Sequence, residues 1–154
     1  MSPAPLRLEV CVGTQTLSLF EGPQLIRQWP CSTSKFGLGF TEGSYRTPVG
    51  RFTVKEKHGD GAPAGTIFKS RQPVGLWQPG MDTQEDLVLT RILRLDGRER
   101  RNANSLDRYI YLHGTNDEAA VGRPASHGCV RLRNADMIDL YDRVPVGTEV
   151  WVTP

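Results

Sequence analysis

Apolar and polar positions alternate from the first ordered-looking stretch of the chain. Leu6-Arg7-Leu8-Glu9-Val10-Cys11-Val12 repeats with the period of two expected of a half-buried strand. Gly13-Thr14 marks a turn, Gln15 to Phe20 alternates again, Glu21-Gly22-Pro23-Gln24 marks a second turn, and Leu25 to Cys31 returns as a third strand. The opening is therefore a predicted β-meander. Ser32 to Tyr45 is a Gly- and Ser-rich loop, and Thr47-Pro48-Val49-Gly50 leads into a further strand from Arg51 to Lys55. There the proline fixes φ and the glycine frees it.

From Glu56 to Asp86 the periodicity is lost, and a long loop of the kind that forms a lid or binding segment is predicted. Phe68 and Trp77 are its apolar anchors. Leu87 to Leu95 is almost continuously apolar, the pattern of a central strand covered on both faces. Asp96-Gly97 turns the chain into a polar loop, Arg98 to Asp107, and Arg108 to Leu112 is a predicted strand that delivers His113. Asn134 is placed to cap a helix running from Ala135 to about Arg143, with Met137, Ile138, Leu140, Tyr141 and Val144 on its inner side. Pro145 and Gly147 end that helix, and Thr148 to Thr153 closes the chain as a strand.

Composition adds little to this picture but excludes several classes. The 154 residues suit one domain with a proper core, and no internal repeat divides them. A net charge of +2 with interspersed acids and bases points away from nucleic acid. No run approaches a membrane span, and Met1 to Pro5 show neither the basic nor the apolar stretch of a secretory leader. The three cysteines, Cys11, Cys31 and Cys129, do not form a disulfide framework. Cys11 and Cys31 read as small core residues. Together these features predict a cytoplasmic protein without a membrane partner.

The candidate chemistry is concentrated in Ser126-His127-Gly128-Cys129-Val130-Arg131, with His113-Gly114-Thr115 upstream. A cysteine is nucleophilic as its thiolate, and a neighbouring imidazole can take its proton. Two bases are available. His127, two residues away, shares a face with Cys129 if the segment is extended, and His113 can be folded back from the end of its strand. Gly128 permits close approach of backbone and substrate, and the N–H groups of Gly128 and Cys129 can face a developing oxyanion. Acyl transfer is the reaction class that suits such a set. The rival is zinc held by His113, His127 and Cys129, but the spacing lacks a second ligand pair. Neither a metal nor any other cofactor is predicted.

His113-Gly114-Thr115, the Ser126 to Leu132 motif, the following Asn134/Asp136 helix and the earlier Thr47-Pro48-Val49-Gly50-Arg51-Phe52 resemble the YkuD-type L,D-transpeptidase catalytic domain, across nearly the whole chain. The resemblance implies a mainly β, sandwich- or barrel-like fold with one short C-terminal helix and a long lid loop, spanning residues 1–154 as one catalytic domain. It implies that Cys129 attacks the carbonyl of the L-centre of meso-diaminopimelate in peptidoglycan stem peptides and expels the terminal D-alanine. His113 would be the base and later the acid, oriented by the carbonyl of Gly114. His127 and Gly128 would shape the site, Ser126 would support it, and Arg131, Arg91 or Arg46 would bind a substrate carboxylate. In showing no leader, the chain resembles the cytoplasmic L,D-carboxypeptidase members, for which trimming muropeptides during wall recycling is the expected reaction. The alternative is an L,D-transpeptidase that forms cross-links or exchanges D-amino acids. Carbapenem acylation of the thiol is expected in either case.

Overall fold

The computed structural model describes residues 4–81, 83 and 85–154. The first three residues of the predicted leaderless N-terminus, and two positions near the end of the predicted long loop, lie outside the described residues. Among the described residues ten strands join into one sheet. β1 (Leu6–Cys11), β2 (Thr16–Glu21) and β3 (Gln24–Pro30) form the expected antiparallel meander. The last strand, β10 (Glu149–Thr153), inserts parallel to β1 and antiparallel to β4 (Gly50–His58). β4 in turn pairs with β7 (Val88–Gly97), the strand around which the second half is built.

β7 is buried along most of its length because both its faces are covered. Leu93 and Leu95 enter the main core with Leu8, Leu19, Phe52 and Val150, whereas Ile92 joins a smaller cluster with Phe68 and Tyr111. That explains its nearly continuous apolar sequence. β8 (Tyr111–Gly114) runs antiparallel to β7, and β9 (Val130–Leu132) runs parallel to β8. A bridge between Ser32, just past β3, and Arg131 ties the end of the meander to β9, the branch carried by β8. Paired N–H to O=C bonds of 2.9 Å in both directions secure it. The sheet thus curls back on itself around the core, and α1 (Asn134–Arg143) packs Met137 and Leu140 into that core against β7 and β8.

Three expectations are corrected. The stretch from Glu56 to Asp86 is not a plain loop: β4 continues to His58, and β5 (Thr66–Lys69) and β6 (Gln72–Leu76) form a hairpin. The hairpin escaped the sequence because β6 is exposed at every position and contains Pro73, so neither alternation nor composition marks it. Its order comes from pairing of Ile67 and Phe68 with Leu89 and Val88 of β7. Next, Arg108 to Ile110 are not strand. Tyr109 has φ of 57°, which ends any extended geometry there. Finally, Arg133 rather than Asn134 is the helix N-cap. Cys11 is half-buried, Cys31 is buried, and both are free thiols.

Candidate active site

Strand register brings the predicted nucleophile and base together. In the β8–β9 ladder Leu112 faces Val130 and His113 faces Arg131, so Cys129 falls level with Tyr111. Side chains alternate across a sheet. Leu112 and Val130 therefore enter the main core, while Tyr111, His113, Cys129 and Arg131 share the opposite face. The Tyr111 N–H donates to Cys129 Sγ at 3.3 Å, and the thiol donates to the Tyr109 carbonyl, also at 3.3 Å. The thiol is thus parked between two tyrosine backbones, and no hydrogen bond joins it to His113.

His113 is buried, and its Nδ1 lies 2.5 Å from the Gly114 carbonyl. A carbonyl oxygen can only accept, so Nδ1 carries the proton and Nε2 keeps its lone pair. Burial holds the imidazole below its ordinary value, and the nearby Arg131 charge adds to this, although Asp86 and the Gly114 carbonyl oppose it. Burial also pushes the Cys129 thiol up to about 12, with Asp86 adding to the rise and the Tyr111 N–H, Arg131 and Arg108 working against it. The resting pair is therefore neutral thiol and neutral imidazole, in place of the ion pair that the residue types alone suggest.

Residues 126–129 form a tied turn. Ser126 is fully buried; its hydroxyl donates to the Cys129 carbonyl at 2.6 Å and accepts the Gly128 N–H at 3.2 Å. That occupies one of the two expected oxyanion donors and leaves the Cys129 N–H. Gly128 has φ of 122°, so the segment is bent and His127 and Cys129 do not share a strand face as expected. A side chain at this φ is strained whatever the space, and a Cβ would also lie 3.4 Å from the Arg46 carbonyl. Thr47, from the Thr-Pro-Val-Gly segment, donates its hydroxyl to the Gly128 carbonyl at 3.0 Å and accepts the Ser34 N–H at 3.0 Å. This is the physical link between the two sequence signatures.

Beneath His113 lies a buried network that the sequence did not reveal. Asn134 Nδ2 donates to the Thr115 carbonyl at 2.9 Å, and its Oδ1 accepts the Thr90 hydroxyl at 2.6 Å. The Thr90 hydroxyl also accepts the Gly65 N–H at 3.0 Å. Thr90 has φ of 77° at an irregularity in β7, a rare conformation for a β-branched residue and one held by its surroundings. A Cβ on Gly114 would sit 2.3 Å from Asn134 Oδ1, so only glycine fits between His113 and this network.

The three arginines expected to read a carboxylate do not line the Cys129 cavity. Arg131 is buried and pairs with Asp86 Oδ1 at 2.8 Å. Arg91 donates to the Ala62 and Thr90 carbonyls, both at 2.7 Å, and lies over the Tyr141 ring. Arg46 is exposed and folds over Gly39. Arg108 does line the cavity of about 150 Å³ at Cys129, with Tyr45, Tyr109 and His127. Its guanidinium is spent on the Gly39 and Arg46 carbonyls at 3.2 and 2.7 Å.

His127 is exposed, binds Asp86 Oδ2 through Nδ1 at 3.1 Å, and meets the Tyr45 ring edge-on. It separates the Cys129 cavity from a second one of about 320 Å³ lined by Lys35, Glu85, Asp86, Asp117 and Arg131. Burial pushes the Asp86 carboxyl up, but His113 and Arg131 outweigh it and hold the carboxyl below its ordinary range. Among the described residues no three His, Cys, Asp or Glu side chains converge as a metal site.

Known proteins share this fold and much of this sequence pattern. The Bacillus licheniformis protein that carries the name L,D-transpeptidase YkuD is 25% identical over 150 residues, covering 97% of this chain and 67% of its own length. The fold matches an L,D-transpeptidase of Xylanimonas cellulosilytica with a TM-score of 0.64 at 23% identity, over 99% of this chain and 62% of that one. It also matches L,D-transpeptidase 3 of Mycobacterium tuberculosis, solved with a faropenem-derived adduct. There the TM-score is 0.63 at 20% identity, over 99% of this chain and 61% of that one. The chain thus spans about three-fifths of these solved chains. The model of the YkuD L,D-transpeptidase catalytic domain matches residues 5–152, and the chain belongs to that family.

Proposed function

We propose that this protein is a cysteine L,D-carboxypeptidase that removes the terminal D-alanine from peptidoglycan tetrapeptide fragments through a thioacyl-enzyme. The observation that carries the reading is the placing of Cys129 and His113 on one sheet face, with the imidazole locked as the Nδ1–H tautomer by Gly114. Nε2 is then the atom that takes the thiol proton as sulfur attacks the carbonyl of the L-centre of meso-diaminopimelate. The Cys129 N–H stabilises the oxyanion. Collapse expels the D-alanine amine, which receives the proton from Nε2. Water, deprotonated by the same nitrogen, then attacks the thioester, and the tripeptide acid leaves as the thiol re-forms. Ser126 and Thr47 hold the turn while this happens, and Arg131 holds Asp86 beside it.

Hydrolysis is supported by the open rim of the cavity, where Tyr45 and Tyr109 are both more than half exposed (57% and 54%) and admit water to the sulfur. A second reading, transfer to an amine, is favoured by the neighbouring cavity, whose Glu85, Asp86 and Asp117 carboxylates suit an incoming ammonium. Incubation of the pure protein with disaccharide-tetrapeptide, followed by mass spectrometry, separates the two. Release of D-alanine with tripeptide as the only other product supports hydrolysis, and dominant cross-linked dimer or exchanged D-amino acid overturns it in favour of transfer. The same reading assigns carbapenem acylation to Cys129, absent in Cys129→Ala, and a cytoplasmic location, which fractionation of the source cells tests.

A further inference from the structure

We propose that Arg71, at the tip of the β5–β6 hairpin, reads the carboxylate of the substrate's terminal D-residue. This deepens the reading of Cys129 as the attacking thiol and rests on it.

The tip is built from Ser70 and Arg71, with φ of 47° and 65°. Neither is glycine, and each such residue costs about 1–2 kcal/mol in this conformation. The strained turn brings Arg71 to the strand beside the thiol. Its Nη1 donates to Tyr111 Oη at 3.1 Å, and its Cζ lies 5.5 Å from the centre of the Tyr109 ring. These are the two residues whose backbones bracket Cys129 Sγ.

A cavity of about 240 Å³ lined by Ser70, Arg71, Tyr109 and Tyr111 shares Tyr109 with the Cys129 cavity. A substrate whose scissile carbonyl sits at the sulfur carries its terminal carboxylate one residue further, about 4 Å along the chain. The cavity that shares Tyr109 with the thiol's own is the space proposed to receive that carboxylate.

The guanidinium is also available. Among the described residues Arg71 has no carboxylate partner, and its one polar contact is a phenol. Of the other arginines near the site, Arg131 is committed to Asp86, Arg94 to Glu56, and Arg91 and Arg108 to backbone carbonyls, while Arg46 folds over Gly39 and lines neither cavity. A planar guanidinium beside an open cavity is suited to bidentate capture of a carboxylate.

The test measures binding of the free tetrapeptide and of its C-terminal carboxamide to Cys129→Ala by calorimetry. The free acid binds about tenfold more tightly than the amide, the scale of one charge-assisted bidentate contact. Arg71→Gln in the same background abolishes this preference, and Arg71→Lys restores part of it, with melting temperatures matching the parent. A preference that survives Arg71→Gln, or no preference in the parent, overturns the proposal. If the preference behaves as stated but protein with Cys129 intact releases no D-alanine, the carboxylate site stands and the proposed reaction falls.

Discussion

Asn134→Ser separates two accounts of one residue. Serine caps helices as well as asparagine does, so if Asn134 were a cap the exchange would cost almost nothing. In the structure Asn134 is instead the first residue of α1 and is largely buried, and its amide joins Thr115 and Thr90. Serine is too short to span both. The substitution strands the Thr115 carbonyl and takes away the acceptor of the Thr90 O–H, which keeps only the Gly65 N–H it accepts, each in a residue without exposed surface. A buried polar group left unpaired costs about 1–3 kcal/mol, so the loss is about 2–5 kcal/mol, on the order of 10 °C in Tm for a domain of this size. Thr115 follows the carbonyl that orients His113, so thiol acylation by a carbapenem slows as well. Urea denaturation gives the first quantity, and the mass shift of the intact protein with time gives the second. A change in stability below about 0.5 kcal/mol would refute the buried-bridge account and restore the cap.

Three further outcomes follow from the same geometry. Asp86→Asn removes the partner of the buried Arg131; because the Asp86 side chain is 29% exposed, the cost is a discounted share of a buried pair, about 1–3 kcal/mol by urea denaturation, and no change would show that Asp117 at 3.9 Å suffices. Gly128→Ala forces a side chain to φ of 122°, costing about 1–3 kcal/mol, and slows carbapenem acylation more than Ser44→Ala on the outer loop. His113 is held below its unfolded value of 6.5, so between the two values the unfolded chain binds more protons. Its contribution to stability is full above the unfolded value and is lost as pH falls through the folded one. His113→Gln flattens that part of the urea-midpoint profile, and an unchanged acid limb would show that the imidazole is not buried.

How much was legible depended on the range of the interaction. The meander, the closing strand, the central apolar strand and the helix are written in neighbouring residues, because alternation and turn chemistry act over a few positions. The Ser-His-Gly-Cys motif and the upstream histidine were equally local, and one strand register sufficed to place them on a common face. The β5–β6 hairpin was not legible, since its order comes from β7, some twenty residues further on.

What the sequence by itself determined here is the strand pattern, the family and which thiol and imidazole are the candidates. Only the tertiary structure decided which imidazole nitrogen keeps its lone pair, that Asn134 is a buried bridge, and that Arg71, rather than Arg46, Arg91 or Arg131, is the guanidinium set against Tyr109 and Tyr111. The physical reason is the same each time. A polar side chain's role is set by the partner that satisfies it, and these partners lie on other strands, where no local pattern records them.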